Sequence, residues 1–443
     1  MHQRILMRAR KGPFDVNSPE ETFERNLIGE NAGNLVFSHA ANKLLATRAA
    51  TITPNGFTVN MRDSDRINEE YDVFVVPLAN AFRRSYAHRL DAMSRLIERL
   101  KIPVVVLGVG VQTNVDGDRE YLRPIDDQVS RFCRAVLDRS PSIGVRGEIT
   151  ADYLRTIGFS NVDVIGCPSM FLHGDTLPVD KRKTFIGPYD KIALTVSPYV
   201  KSMAKIIKTH HQRYENLRYI PQDLKTLGTL LFGDAPEDRG KTSEIPIHTT
   251  HPLFTEDKVR MFVDPWTWID YLSGFDFNFG TRIHGTIVSL LAGTPGFLFA
   301  HDSRTLELAR YFEIPHRVMR DVPADVDAAQ LYDEADYSGM VNGHKQRYET
   351  MLQFLAKHNL GNSFADADSA AVFDATRQAT AFPPAVRPAL ATSPEVLVKR
   401  IEWLRDQEAV LREQASQAMP RPERIRTRIK KAVPGSVRRM LNR

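Results

Sequence analysis

Asp72-Val73-Phe74-Val75-Val76 and Val104-Val105-Val106-Leu107 are the runs whose reading decides the fold. Each is short, rich in β-branched residues and apolar without alternation, the pattern of a strand buried on both faces of a sheet. The spacing predicts a helix around 86–100 between them, and the alternation continues. A helix around 126–138 leads to Ser142-Ile143-Gly144-Val145 as a strand, and a helix from about Glu148 leads to Val162-Asp163-Val164-Ile165. Strands that alternate with helices in this way predict a parallel sheet covered on both sides.

From Gly174 to Lys191 the pattern stops in a polar stretch with Pro178 and Pro188, which reads as an interdomain connection. It then restarts. Ile192-Ala193-Leu194-Thr195-Val196, Arg218-Tyr219-Ile220, Val259-Arg260-Met261-Phe262, Phe275-Asp276-Phe277-Asn278-Phe279 and Gly296-Phe297-Leu298-Phe299 read as strands, and 233–253 as a long surface loop. The expected architecture is α/β, two Rossmann-like domains (1–185 and 186–380) facing across a cleft, with ligands beyond the carboxyl ends of the strands. A third segment, 381–443, begins with prolines, followed by a helix start at Ser393-Pro394. Leu397, Ile401, Leu404 and Leu411 share one face of that helical extension, as a packing face or a self-association seam.

Bulk composition narrows the function. The length of 443 residues suggests roughly two or three domains. The hydrophobic fraction of 42% and charged fraction of 26% are those of a globular protein. No run approaches the ~18–20 apolar residues that span a bilayer. Met1 to Arg8 lacks the apolar core of a secretory signal, and two cysteines, Cys133 and Cys167, make no disulfide framework. The cytoplasm is therefore expected. The net charge of +5 is uneven: from Arg421 onward nine basic residues and one acid give +8, leaving −3 on the rest. That excludes a polycationic body and with it a nucleic-acid partner. In the tail Ile425, Ile429, Ala432 or Val433, Val437 and Met440 form an apolar stripe among arginines and lysines, suited to the inner face of an anionic membrane.

The chemistry concentrates in Gly280-Thr281-Arg282-Ile283-His284-Gly285-Thr286, followed by the helical run to Gly293-Thr294-Pro295. Arg282 and His284 are two apart, so in extended backbone they point to the same side. The flanking glycines allow a ligand close to the backbone, and the helix start behind them offers amide hydrogens to an anion. An arginine fork, an imidazole and a helix terminus suit a phosphate or a carboxylate. Pairing of Arg282 with an acid and capping by His284 would explain the same residues without a ligand.

This block resembles the signature of the polysaccharide pyruvyl transferase family. The similarity extends to Asp302-Ser303-Arg304-Thr305, Ile314-Pro315, Ser142-Ile143-Gly144-Val145-Arg146-Gly147-Glu148, Val164-Ile165-Gly166-Cys167-Pro168-Ser169 and, more weakly, Tyr219-Ile220-Pro221-Gln222-Asp223. Where the family often has aspartate before that proline, this chain has Cys167. Asn26 to Asn34 is similar to its Asn/Gly-rich first loop. The resemblance implies a GT-B-like fold and a transferase that moves pyruvate from phosphoenolpyruvate onto sugar hydroxyls as a ketal. His284 and Arg282 would be catalytic, and Arg146, Gly285, Thr286, Asn31 and Asn34 would bind substrate, with no metal and no cofactor beyond the donor. The acceptor could be a polysaccharide or a lipid-linked glycan. The alternatives are a nucleotide-sugar glycosyltransferase of the same architecture and an inactive glycan- or membrane-binding relative.

Three other features weigh less. Gly108-Val109-Gly110-Val111-Gln112 lacks the third glycine of a dinucleotide fingerprint, leaving a tight turn or a cleft wall. Asp63-Ser64-Asp65 has the form of a glycosyltransferase metal triplet but lies between arginines. Trp266 and Trp268 could form a sugar platform, although core or interface packing explains them better.

Overall fold

The computed structural model describes residues 2–418 and divides into two compact units, 1–391 and 392–443. The first holds two parallel sheets. Strands β1 (Gln3–Met7), β2 (Ala50–Pro54), β3 (Val73–Pro77) and β4 (Val104–Leu107) lie in the order β2-β1-β3-β4. A further parallel pair, β5 (Ile143–Val145) and β6 (Val162–Val164), joins β4's continuation through a parallel bridge between Val109 and Val145. The second sheet contains β7 (Ile192–Thr195), β8 (Arg218–Tyr219), β9 (Phe277–Gly280), β10 (Gly296–Ala300) and β11 (His316–Val318), in the order β11-β10-β9-β7-β8. The expected α/β class with two parallel sheets is the one observed.

The side chains show why unbroken apolar runs become strands here. In β3, Val73 and Val75 enter the core on one face, and Phe74 and Val76 enter a separate core on the other. In β4, Val105 and Leu107 oppose Val104 and Val106 in the same way. Helix Gly33–Leu45 is buried at every position but Asn34, because sheet, helix and loop surfaces enclose it. It touches helices Pro265–Leu272 and Ile283–Leu291, so one core runs continuously beneath both sheets.

Several expectations change. Val259 to Phe262 is not a strand: Val259 makes one isolated bridge to Tyr219 and Met261 one to Val386, since no neighbour runs alongside long enough for a ladder. β1, β2 and β11 were not anticipated. Trp266 and Trp268 are core residues, Trp266 donating to Pro13 O at 2.9 Å. The stretch between Phe171 and Ile192 contains no helix or strand. In 233–251 a single 3₁₀ turn (Pro236–Asp238) interrupts the loop, and Asp234 Oδ1 accepts from Thr249 N–H at 3.1 Å.

The second unit contains helix Pro394–Ala418, on which Ile401, Leu404 and Leu411 are exposed. The basic stripe beyond Arg421 lies outside the described residues. Among the described residues no helix is long and apolar enough to cross a membrane.

Candidate active site

Loops from both sheets line one cavity of about 780 Å³. From the first sheet come Asn31 and Asn34, Asn80 and Arg83, Gln112, and Arg146. Tyr199, Asp223, Arg282, His284 and Arg304 come from the second. The strand-order reversals fall between β1 and β3 in one sheet and between β7 and β9 in the other. Open parallel sheets bind ligands beyond the carboxyl ends of strands at such points.

Arg282 and His284 do meet in the cavity, but not on an extended strand. β9 ends at Gly280 (φ 150), where a Cβ would lie 2.0 Å from Thr195 O. Only glycine lets the two strand ends come so close. Thr281 N–H then donates to Thr195 O at 2.7 Å, Arg282 caps helix Ile283–Leu291, and His284 lies in its first turn. The first helical bond runs from Thr286 N–H to Arg282 O (3.1 Å), so the amides ahead of it have no partner within the helix.

Arg146 is 1% exposed. Its Nε donates to Gly108 O at 3.3 Å, and its Nη2 is buried without a hydrogen-bond partner among the described residues. Gly110 makes room for it, since a Cβ there would stand 2.3 Å from Arg146 Cδ. Gly108-Val109-Gly110 is therefore both a turn and the cradle of a cavity residue. Arg282 Nη2 is 3.7 Å from Asp223 Oδ2, and Arg304 Nη2 is 3.2 Å from Asp302 Oδ2. The Nε atoms of both arginines are buried without partners among the described residues. Three guanidinium groups thus converge with buried donor capacity to spare.

His284 is held neutral here. Burial first, and then Arg146, Arg304 and Arg282, bring its pKa down to about 3. Its Nε2 is 3.9 Å from Cys167 Sγ, a thiol whose own pKa burial raises. A carboxylate at that position would oppose the arginines; a neutral thiol does not.

The remaining predicted residues divide. Asn31 and Asn34 line the cavity, but Asn31 Oδ1 accepts from Gly33 N–H at 2.8 Å and Asn34 Nδ2 donates to Gly29 O at 2.8 Å, so these atoms shape the loop. Gly285 and Thr286 lie behind the wall and are not among the lining residues. A Cβ at Gly285 would meet Gln222 and Thr195 at 2.7 Å, so the glycine serves protein packing rather than ligand approach. Asp63 and Asp65 are not lining residues either, and among the described residues no group of three metal-ligating side chains occurs.

Sequence reasoning left Asp223 and Arg304 out of the site. Asp223 Oδ1 caps helix Leu224–Phe232 by accepting from Thr226 N–H (3.0 Å), while Oδ2 is buried without a hydrogen-bond partner among the described residues. Arg304 is aimed by the capping box of helix Ser303–Phe312, in which Asp302 and Thr305 bond reciprocally. Ser303 N–H also donates to Thr113 O (3.1 Å), tying this helix to the loop after β4. The signal for both was present, an aspartate before a helix within a family-like segment.

The fold and the site thus define an α/β protein with an arginine-lined cleft between parallel sheets. The family model described as polysaccharide pyruvyl transferase matches residues 31–303, more than half of the chain, and the chain belongs to that family, one of transferases. No curated protein matches it. Among solved structures it is similar to the UDP-GlcNAc 2-epimerase of Methanocaldococcus jannaschii in complex with UDP-GlcNAc and UDP, with 12% identity, 80% of this chain and 99% of that one covered, and a TM-score of 0.45. It is also similar to the UDP-GlcNAc 2-epimerase of Neisseria meningitidis bound to UDP-GlcNAc, with 11% identity, 85% and 99% covered, and a TM-score of 0.37. Similarity at that level says nothing about chemistry.

Proposed function

We propose that the protein transfers the pyruvate unit of phosphoenolpyruvate to two hydroxyls of a sugar acceptor, forming a ketal and releasing phosphate. The observation that carries this reading is the convergence of Arg146, Arg282, Arg304 and His284 on one cavity. The donor places a phosphate and a carboxylate on three carbons, a charge pattern that three guanidinium groups and a helix start can match.

The reaction needs one proton on the donor's methylene carbon and one bond from a sugar oxygen to its central carbon. The carbon–phosphate oxygen bond breaks, and the second hydroxyl closes the ring. The two hydroxyl protons end on the new methyl group and on phosphate, so the balance needs no co-reactant. His284 is the proton donor in this scheme, and the arginines stabilise charge on the departing phosphate. Asp223 Oδ2 takes the acceptor's proton, because its other oxygen is committed to the helix cap. The acceptor belongs to a polysaccharide or glycolipid precursor, and residues 421–443 would bring the protein to an anionic membrane.

The test is incubation with phosphoenolpyruvate and a panel of glycans, read by mass for a pyruvate ketal and by phosphate release. Product formation that disappears in His284→Ala, with the melting curve retained, supports the reading. A wild-type protein that binds nucleotide sugars but neither binds nor consumes phosphoenolpyruvate overturns it.

A further inference from the structure

The donor uses only part of the cleft's positive charge. Beside the main cavity lies a smaller one of about 110 Å³, lined by Arg8, Arg83, Arg89, Phe57 and Tyr86 among others. The two share Gly29, Glu30, Asn34, Ala79, Asn80 and Arg83 as walls, so they form one continuous groove. Arg8 directly follows β1, and Ala79 and Asn80 follow β3. The smaller cavity therefore occupies the strand-order reversal of the first sheet, the ligand position this topology favours.

These arginines are held by neutral acceptors. Arg8 donates to Pro77 O (3.1 Å) and to the Tyr86 hydroxyl (2.8 Å), and its guanidinium carbon lies 4.1 Å from the Phe57 ring centroid. Arg10 lies on the same ring at 5.0 Å. Arg83 donates to Asn80 O (3.0 Å) and Ser85 Oγ (3.1 Å). Among the described residues none of Arg8, Arg10, Arg83 and Arg89 is paired with a carboxylate, although ion pairs are frequent elsewhere. The Nε atoms of Arg8 and Arg10 are buried without partners among the described residues. Burial lowers the pKa of Arg10, and Arg89 and Arg8 lower it further by repulsion. Glu30 is the one carboxylate among the lining residues, and it accepts from Asn26 at 2.6 Å.

Charge matching decides what belongs there. A phosphate ester carries about −1.5 to −2 at neutral pH; with its carboxylate, and with Asp223 and Asp302 already beside Arg282 and Arg304, the donor leaves no positive charge to spare in the main cavity. The second group of arginines is offset only by Glu30, with Arg8, Arg10 and Arg83 half-buried and Arg89 exposed, so like charges repel there. An arginine fork pairs two-pronged with phosphate oxygens. We propose that Arg8, Arg83 and Arg89 form an acceptor subsite for a phosphoryl group, so that the sugar receiving pyruvate is a phosphate ester or diphosphate held in the smaller cavity. This rests on the pyruvyl-transfer reading.

The test is calorimetric titration of the full chain with inorganic diphosphate, with and without saturating phosphoenolpyruvate. Wild type is expected to bind diphosphate with the donor already bound, more weakly as salt rises. Arg8→Gln/Arg89→Gln should bind it roughly tenfold more weakly or worse while donor affinity is unchanged, since neither residue lines the main cavity. Arg89→Gln alone, an exposed position, keeps the test open if the double variant does not fold. Tighter binding of a prenyl diphosphate than of inorganic diphosphate supports the subsite and assigns a lipid-linked source; equal binding supports it and assigns a soluble one. Displacement of diphosphate by the donor, or undiminished binding in the variants, overturns the proposal. Failure of the donor itself to bind would sink the pyruvyl reading instead, and the two failures are read in separate titrations.

Discussion

Gly33→Ala adds one methyl group next to the imidazole on which the proposed reaction turns. Gly33 opens helix Gly33–Leu45 and is not among the positive-φ residues, so alanine meets no backbone strain. Helix propensity alone favours alanine by up to about 1 kcal/mol. The obstacle is contact: the new Cβ would lie 2.7 Å from His284 Cβ and Nδ1 and 2.8 Å from Cγ, where ordinary contact starts at 3.4 Å. The ring must retreat by about 0.7 Å, the difference between those distances. Cys167 Sγ, 3.9 Å from Nε2, leaves little slack in its own direction, whereas the cavity that His284 lines offers the ring room to shift. Overpacking of this kind costs about 1–3 kcal/mol, which outweighs the propensity gain. The melting temperature should fall by a few degrees. Misplacing a catalytic group by about 1 Å costs on the order of a hundredfold in rate. The expected result is a 10- to roughly 100-fold fall in kcat for phosphate release, with donor affinity, carried by the arginines, little changed. Gly274→Ala is the control, since its added methyl meets nothing closer than 3.7 Å. If Gly33→Ala keeps kcat within about twofold of wild type, the position of His284 does not govern the rate and the acid role is refuted.

Other perturbations probe the same groove. Arg282→Lys should raise the KM for phosphoenolpyruvate about tenfold or more, because lysine cannot make a two-pronged contact, and unchanged donor affinity would count against the role. Asp223→Asn should lower kcat with little change in melting temperature, since asparagine caps a helix as aspartate does; Asp223→Ala should lose about 1 kcal/mol of stability as well. Equal kcat in wild type and Asp223→Asn would remove Asp223 as the base. His251 and His301 have pKa values brought down by burial to about 4 and His284 to about 3, with His39 well below 6.5. Their neutral forms are the ones folded, so the stability they contribute is present above pH 6.5 and lost as pH falls. Glu307, raised to about 7, acts oppositely, losing stability as pH rises from 4.5 through 7, and burial raises Asp264 too, but the lowered histidines, which include His173, His210 and His344, outnumber these two carboxyls. The melting temperature should therefore drop on acidification from about 6.5 to about 4, and a flat profile would contradict neutral buried imidazoles. Removing 421–443 should abolish binding to anionic vesicles and leave transfer to a soluble acceptor intact; retained vesicle binding would reject a membrane role for the tail.

What could be read from the chain divides along physical lines. β3 and β4 were legible because burial on both faces leaves only apolar residues, and that composition has few other uses. β1 was not, since Gln3 and Arg4 break the run and its strand character comes from β2 and β3 on either side. Val259 to Phe262 has a strand's composition without its neighbours, so local preference misled there. Arg146, Arg282 and His284 stood in segments with a family pattern, and all three line the cavity. Arg8, Arg83 and Arg89 carry no pattern. They become a group only because β1 and β3 lie side by side, a pairing across some seventy residues that no local reading contains. The geometry inferred for Arg282 and His284 failed for a related reason. Whether the chain extends or turns after Gly280 depends on Thr195 of a different strand.

Cys167 bears on when His284 can act. With a carboxylate at that position the imidazole would have a fixed counter-charge; beside a neutral thiol it faces three guanidinium groups and stays unprotonated. A negative charge about 4 Å away contributes roughly 4 kcal/mol at an effective dielectric of about 20, equivalent to about three pH units of proton affinity. A donor phosphate seated among Arg146, Arg282 and Arg304 would supply up to two such charges, enough to return a pKa of about 3 to the neutral range. Under the proposed reaction the substrate thus creates the acid that attacks it, and His284 carries no proton until phosphate arrives. Cys167→Asp would supply the counter-charge permanently. The donor-bound variant should keep its rate to higher pH than wild type, and the melting curve of the variant without donor should lose part of its acid sensitivity. If both profiles are unchanged, the thiol is only a packing residue and the protonation of His284 is set elsewhere.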